Sequence, residues 1–277
     1  MEKVIPREKI RKIAAKLNGT LGLFVQVLDT GETFQINPKT VFQSASVIKI
    51  PLLALLLKDV EEGKISWSSP RAISPVNRVE GSGVLKYLDK SYAPSLEVLA
   101  LLMIAFSDNA AANEIIDVVG VKRFNSFWKD FGYKSFVLGR KMMDFEAIKS
   151  GKDNFMTVSD AGRLLVQIAE GSCISPWVSR MVCDMMLQQQ VQYKLPALLP
   201  VFPVNASDKG EIEIPKGTVL VANKTGELDG VQHDAGLFTL ADKRQYIIAA
   251  FTKDLKRGSD GIKAISEISL AVYEALR

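Results

Sequence analysis

The chain has 277 residues, of which 47% are hydrophobic and 24% charged, and 35 Lys+Arg against 31 Asp+Glu give a formal charge of +4. That small basic excess is scattered from Lys3 to Arg277, so no clustered face for nucleic acid is expected. A single histidine, His233, and two cysteines, Cys173 and Cys183, offer no metal cluster and call for no cofactor. The cysteines are either free thiols or a disulfide, since spacing does not fix the geometry. The longest apolar run, Ile48 to Leu57, contains Lys49 and is too short to span a bilayer. Met1 to Pro6 carries charges and a proline where an export signal is apolar, so either the protein is cytoplasmic or a targeting segment is missing from this chain.

In chain order, a helix is predicted from about Arg7 to Leu17, ended by Asn18-Gly19. A hairpin follows: Leu21 to Val27 is β-prone, Asp29-Thr30-Gly31 has turn chemistry, and Glu32 to Ile36 returns. Ser46 to Val60 reads as a helix capped by Ser44 or Ser46, with Pro51 expected to kink its first turns. Further helices are predicted over Leu96 to Phe106, Ala110 to Val119, Val158 to Glu170 and Trp177 to Gln189. Val204 to Pro215 looks like a polar excursion. Thr218 to Ala222, Gly236 to Leu240 and Gln245 to Phe251 then read as strands, with Lys243-Arg244 turning the last two. Ile262, Ile265, Ile268, Val272 and Leu276 mark one face of a final helix.

Strands therefore occur near both ends, with helices between and outside them. They most simply join one antiparallel sheet flanked by terminal helices, giving an α/β (α+β) fold with an inserted all-helical lobe. Residues 1–43 and 198–277 are expected to form the α/β lobe and 44–197 the helical lobe, with the site in the cleft between them.

Three short motifs carry chemistry. Ser46-Val47-Ile48-Lys49 puts a hydroxyl and an amine one helical turn apart on one face. A serine is a weak nucleophile until its proton is removed, and a desolvated lysine can remove it once its pKa falls. A helix start also offers free N–H groups to a developing oxyanion. Ser107-Asp108-Asn109 follows an apolar helix, and by itself is most simply a cap. Lys224-Thr225-Gly226 follows a β-prone run, and by itself is most simply a strand-end turn.

In this order and context the three motifs resemble those of the class A β-lactamases and penicillin-binding proteins, and the similarity runs over most of the chain. The resemblance implies Ser46 as the nucleophile on a β-lactam or related acyl carbonyl, with Lys49 managing its proton. It implies a proton relay at Ser107, an amide contact at Asn109, and carboxylate binding by Lys224 and Thr225. The strand after Thr225, from Gly226 into Glu227, would line the substrate, and the N–H groups of Ser46 and Glu227 would form the oxyanion hole. Asp108 would anchor its loop.

Class A enzymes also carry a loop of the form Arg-x-Glu-x-x-x-Asn, whose glutamate activates the water that releases the acyl group. Here Arg140 is followed by Met142 where that glutamate belongs and by Glu146 where the asparagine belongs. Glu146 is the expected replacement base, with Asp144 second; the simpler alternative is that Glu146 faces solvent or pairs with Arg140 or a nearby lysine. Phe155 stands where an aspartate would close the loop on Arg140, and Asp153 is the candidate substitute. His233 is the one basic candidate beside the strand after Lys224-Thr225-Gly226, with a structural role more to be expected than a ligand role.

The resemblance implies a β-lactam-opening serine hydrolase acting on a small-molecule or peptide-like substrate. It also implies an extracytoplasmic location, and a monomer is the expectation. Two alternatives stay open: a D-alanyl peptidase or esterase on the same scaffold, and a penicillin-binding sensor that acylates and turns over slowly.

Overall fold

A computed structural model of the chain describes residues 4–204 and 212–277. The first half runs α1 (Arg7–Ala14), β1 (Thr20–Val27), β2 (Thr33–Ile36), β3 (Val41–Gln43), a 3-10 turn (Ala45–Ile48), α2 (Lys49–Glu61), α3 (Leu96–Ala105), α4 (Asn109–Val119) and α5 (Val121–Asp130). The second half runs α6 (Phe145–Lys149), β4 (Phe155–Thr157), α7 (Val158–Ala169), α8 (Pro176–Leu187), β5 (Val219–Leu228), β6 (Val231–Leu240), β7 (Gln245–Lys253) and α9 (Gly258–Leu276).

Five strands form one antiparallel sheet in the order β2-β1-β7-β6-β5, so the early hairpin joins the late strands through β1 and β7. Both faces are covered, which is why these strands read as apolar runs rather than as an alternation. Along β7, Ile247, Ala249 and Phe251 face a core shared with α2, α3, α4, α7 and α8. Tyr246, Ile248 and Ala250 face the opposite core, closed by Ile10 of α1 and by Ile265, Ile268 and Val272 of α9. Helix α7 lies directly on the sheet at Gly162, where an added Cβ would sit 2.2 Å from the Phe24 ring. A small two-stranded ribbon, β3 with β4, lies beside this sheet.

The antiparallel sheet and its terminal helices match the sequence expectation; several boundaries do not. The segment expected as one helix from Ser46 winds as a 3-10 turn until Lys49, so the change of winding falls before Pro51 and not at it. Pro51 is tolerated because it sits in the first turn of α2, where N–H groups have no partner inside an α-helix. Strand β5 was expected to stop at Ala222 but continues through Asn223, Lys224, Thr225 and Gly226 to Leu228. These polar residues stay in the sheet because β6 supplies partners: Asn223 Nδ2 donates to both carboxylate oxygens of Asp234, at 2.9 and 3.1 Å. Helices α5 and α6 were not anticipated. Most of the expected polar excursion, 205–211, lies outside the described residues. Cys173 and Cys183 are free thiols, which settles that alternative. No helix among the described residues is long and apolar enough to cross a membrane.

Candidate active site

Ser46 lies half-buried in the 3-10 turn, between β3 and α2. The preceding residue, Ala45, has φ +45°, a left-handed conformation that costs a non-glycine residue about 1–3 kcal/mol. Ser107 (φ +55°) and Met143 (φ +63°) share this strain, and Ala45, Ser46 and Met143 line one cleft of about 380 Å³. Two of these residues, Ala45 and Met143, thus border the opening that holds Ser46. Glycine at position 226 allows a close approach, since an added Cβ would lie 3.0 Å from Ala45 Cβ and 3.2 Å from the Ser46 nitrogen. This packs the first turn at Ser46 against the β5 edge.

Lys49 opens α2 and is wholly buried. Its Nζ donates to the Ser107 carbonyl at 2.7 Å, to Ser107 Oγ at 3.2 Å and to Asn109 Oδ1 at 3.0 Å. All three acceptors are neutral. Burial first, and then the charge of Lys224, hold the amine well below the usual lysine range, against the pull of Asp108.

Asp108 caps α4 by accepting from Ala111 N at 2.9 Å. Its other oxygen accepts from Val84 N at 2.7 Å and Leu85 N at 2.8 Å. The carboxylate therefore fixes the turn that presents Ser107 and Asn109, and it ties down the 80–85 segment above them. Gly81 closes over Asn109, whose Nδ2 donates to the Glu80 carbonyl at 3.3 Å.

On the strand side Lys224 is fully buried. Burial lowers its ammonium to about 7; Asp234 and Glu227 oppose the shift, and Lys194 adds to it. Glu227, three residues further along the strand, lines the cleft. Lys194, wholly buried in the connector after α8, lies 3.0 Å from the Glu227 carboxylate. The Tyr193 hydroxyl hydrogen-bonds the same carboxylate. Burial alone would raise the Glu227 carboxyl, but Lys194 and Tyr193 outweigh it and hold the group below its ordinary range.

The wall opposite the strand is a pinned loop. Asn125 both accepts from the Leu138 N–H and donates to its carbonyl, each at 2.8 Å. Asn113 clamps Met142 in the same way, at 2.7 and 3.2 Å. Arg140 Nε donates to Asp153 at 2.7 Å in a pair buried at both ends. Asp153 is thus the substitute anticipated for the aspartate absent at Phe155.

Glu146 is a correction. It projects from α6 with its side chain 82% exposed, paired to Lys149 at 2.8 Å. It does not line the cleft, where Met142, Met143 and Phe145 stand instead. The short helix α6 turns Glu146 outward while its neighbour Phe145 faces the opening. Asp144 is likewise engaged, as the cap of α6 through Ala147 N at 2.9 Å. His233 is wholly buried: Nε2 lies 2.8 Å from the Gln43 carbonyl, and Nδ1 lies 2.8 Å from the Gln232 carbonyl and 3.1 Å from the Thr252 nitrogen. Burial pushes it down to about 4, so it is a neutral tie between β6 and β3 with no nitrogen left for a substrate.

The fold brings Ser46, Lys49, Ser107, Asn109, Gly226 and Glu227 together, with Lys224 and Thr225 on the same strand. Sequence reasoning missed Lys194 and Asn113. A lone lysine before Leu195-Pro196 and an asparagine inside a helix carry no local signal; only their burial against this site reveals them.

A serine one turn of chain before a fully buried lysine amine is the arrangement expected of a serine acyl hydrolase. Residues 5–276 match the Beta-lactamase enzyme family, and the chain belongs to that family. A β-lactamase of Bacteroides uniformis is 28% identical over 96% of this chain and 90% of its own length. The structure of a β-lactamase from Sphaerobacter thermophilus superposes with TM-score 0.84 at 27% identity, covering 99% of this chain and 98% of that one. A mutant of PBP-A solved as an acyl-enzyme complex with penicillin G has TM-score 0.83 at 26% identity, covering 98% of this chain and 95% of that one. The chain is a hydrolase of the serine β-lactamase type.

Proposed function

We propose that this protein opens β-lactam rings through an acyl-enzyme on Ser46, and that acylation is its faster half-reaction. The observation that carries the reading is the Lys49 amine, buried among three neutral acceptors at 2.7–3.2 Å. Such an amine gives up its proton readily and then takes one from the Ser46 hydroxyl. The serine oxygen bonds to the ring carbonyl carbon while the N–H groups of Ser46 and Glu227 receive the oxyanion. As the ring C–N bond breaks, Ser107 passes a proton to the departing nitrogen. Asn109 holds the substrate's amide, and Lys224 with Thr225 holds its carboxylate.

Release needs an activated water, and the loop side of the cleft offers Met142, Met143 and Phe145 rather than a carboxylate, while Glu227 on the strand side is tied to Lys194 and Tyr193. The remaining candidate base is Lys49 itself, returned to its neutral form. The acting unit is a monomer in two lobes: residues up to 43 and from 198 carry the sheet, and 44–197 carry the helices. Family membership supports an extracytoplasmic, periplasmic or secreted home.

A chromogenic cephalosporin separates the half-reactions. A burst of one equivalent followed by slower steady turnover, both absent from Ser46→Ala, is the expected result. A burst with no later turnover makes the protein a penicillin-binding sensor. No reaction with the cephalosporin, alongside turnover of D-alanyl peptides or esters, overturns the lactamase reading.

A further inference from the structure

The proposed mechanism leaves one charged cluster unused. Lys194 is completely buried, yet it belongs to neither lysine motif. Its ammonium donates to the carbonyls of Gly226 at 3.0 Å and His233 at 3.3 Å, and it faces the Glu227 carboxylate at 3.0 Å. The Tyr193 ring lies beneath the ammonium at 5.6 Å, while the Tyr193 hydroxyl hydrogen-bonds the same Glu227 oxygen, Oε1, that Lys194 faces. Glu227 itself is 45% exposed and stands in the wall of the cleft that holds Ser46. The strand end that binds a substrate carboxylate in the proposed mechanism therefore already contains a carboxylate, supplied by the protein.

We infer that Glu227 is a built-in anion that occupies Lys194 and so tunes the charge preference of the cleft: it lowers the advantage that Lys224 and Thr225 give to substrates with a carboxylate near the scissile bond over neutral ones. The inference rests on the proposed acylation at Ser46 and adds a specificity determinant to it. An incoming carboxylate meets Lys224, whose charge is partly lost near neutral pH, together with the Glu227 charge, which repels it. It reaches Lys194 only by displacing Glu227 from Lys194 and Tyr193. A neutral ester or amide meets none of this. Glu227 thus acts by charge and position, while its backbone N–H keeps a separate role at the oxyanion.

The experiment compares a penicillin with its methyl ester, reading acylation kcat/KM for each and identifying the Ser46 adduct by intact mass. In Glu227→Gln the amide keeps the shape and its hydrogen bonds while the charge is removed. The ratio of carboxylate to ester kcat/KM is expected to rise about tenfold over the wild type, the size of one like charge removed from a partly solvated neighbourhood. High salt narrows the difference between the two proteins, since it screens an exposed charge. A ratio unchanged within twofold in a folded variant overturns the inference and leaves the acylation reading intact. If Glu227→Gln melts early, Glu227→Thr, neutral and at home in a strand, carries the same test. Failure of the wild type to form an adduct with either compound removes the acylation reading and this inference with it.

Discussion

Lys49 on the helical side of the cleft and Lys194 on the strand side are both wholly buried, but they keep different company. Lys49 has only neutral oxygens around its amine; the nearest acid, Asp108, is engaged by three backbone N–H groups. Lys194 has Glu227 at 3.0 Å and is also favoured by Asp234, so the lowering caused by burial is partly offset. Burial is common to both, so it does not decide the role. A buried amine left among neutral acceptors is poised to exchange a proton, whereas one given a carboxylate keeps its proton more firmly.

The largest test of that contrast is Lys49→Met. It keeps the volume and removes the amine, and acylation measured by stopped flow should fall by about 10³-fold or more; a fall under tenfold would make Lys49 a scaffold residue only. Next is Met142→Glu, which gives the cleft the unpaired carboxylate it lacks. Asn113 already fixes the Met142 backbone, so the new side chain should replace the thioether at the cleft wall and speed acyl-enzyme decay by about 10²-fold. The companion change Glu146→Gln, at an exposed pair with Lys149, should alter decay by less than about twofold.

The smallest effect is a pH dependence. Lys224 titrates at about 7, so it is cationic below that pH and neutral above it. Affinity for a carboxylate substrate should therefore weaken severalfold between about pH 7 and 9, while the methyl ester shows no such limb. Lys224→Arg should flatten the limb, because a guanidinium stays charged there. Lys49 has the opposite requirement, since it works as the neutral amine, and its own limb rises with pH.

Much of this was legible in the sequence because the decisive residues stand close together along the chain. Ser46 and Lys49 are one turn apart, Ser107 and Asn109 flank a cap, and Lys224 to Glu227 share one strand. Arg140 and Asp153 were paired correctly because both lie in one short loop. What was not legible depends on where a side chain points across the fold. Nothing local says that Glu146 leaves the cleft to Met142 and Phe145, since the short helix that decides it has weak periodicity. Lys194 looks like any surface lysine until β5 and β6 close around it. The β5 boundary was misplaced for a similar reason. Asn223 and Lys224 read as the end of a strand, and only Asp234 on the neighbouring strand explains how they stay buried.

The pairing of β1 with β7 has a consequence for how the molecule comes into being. Thr20 lies opposite Lys253, and His233 bonds to Gln43 across 190 positions of chain. Contacts this non-local carry a large loop-closure entropy and make for slow folding. The turn that bears Ser46 has its supports, Gly226 and the His233 tie, in the last strands to be synthesised. A chain in which these strands have not yet docked lacks both supports of the nucleophile turn. Appearance of acylating activity during refolding should report completion of the whole sheet rather than collapse of the helices around it.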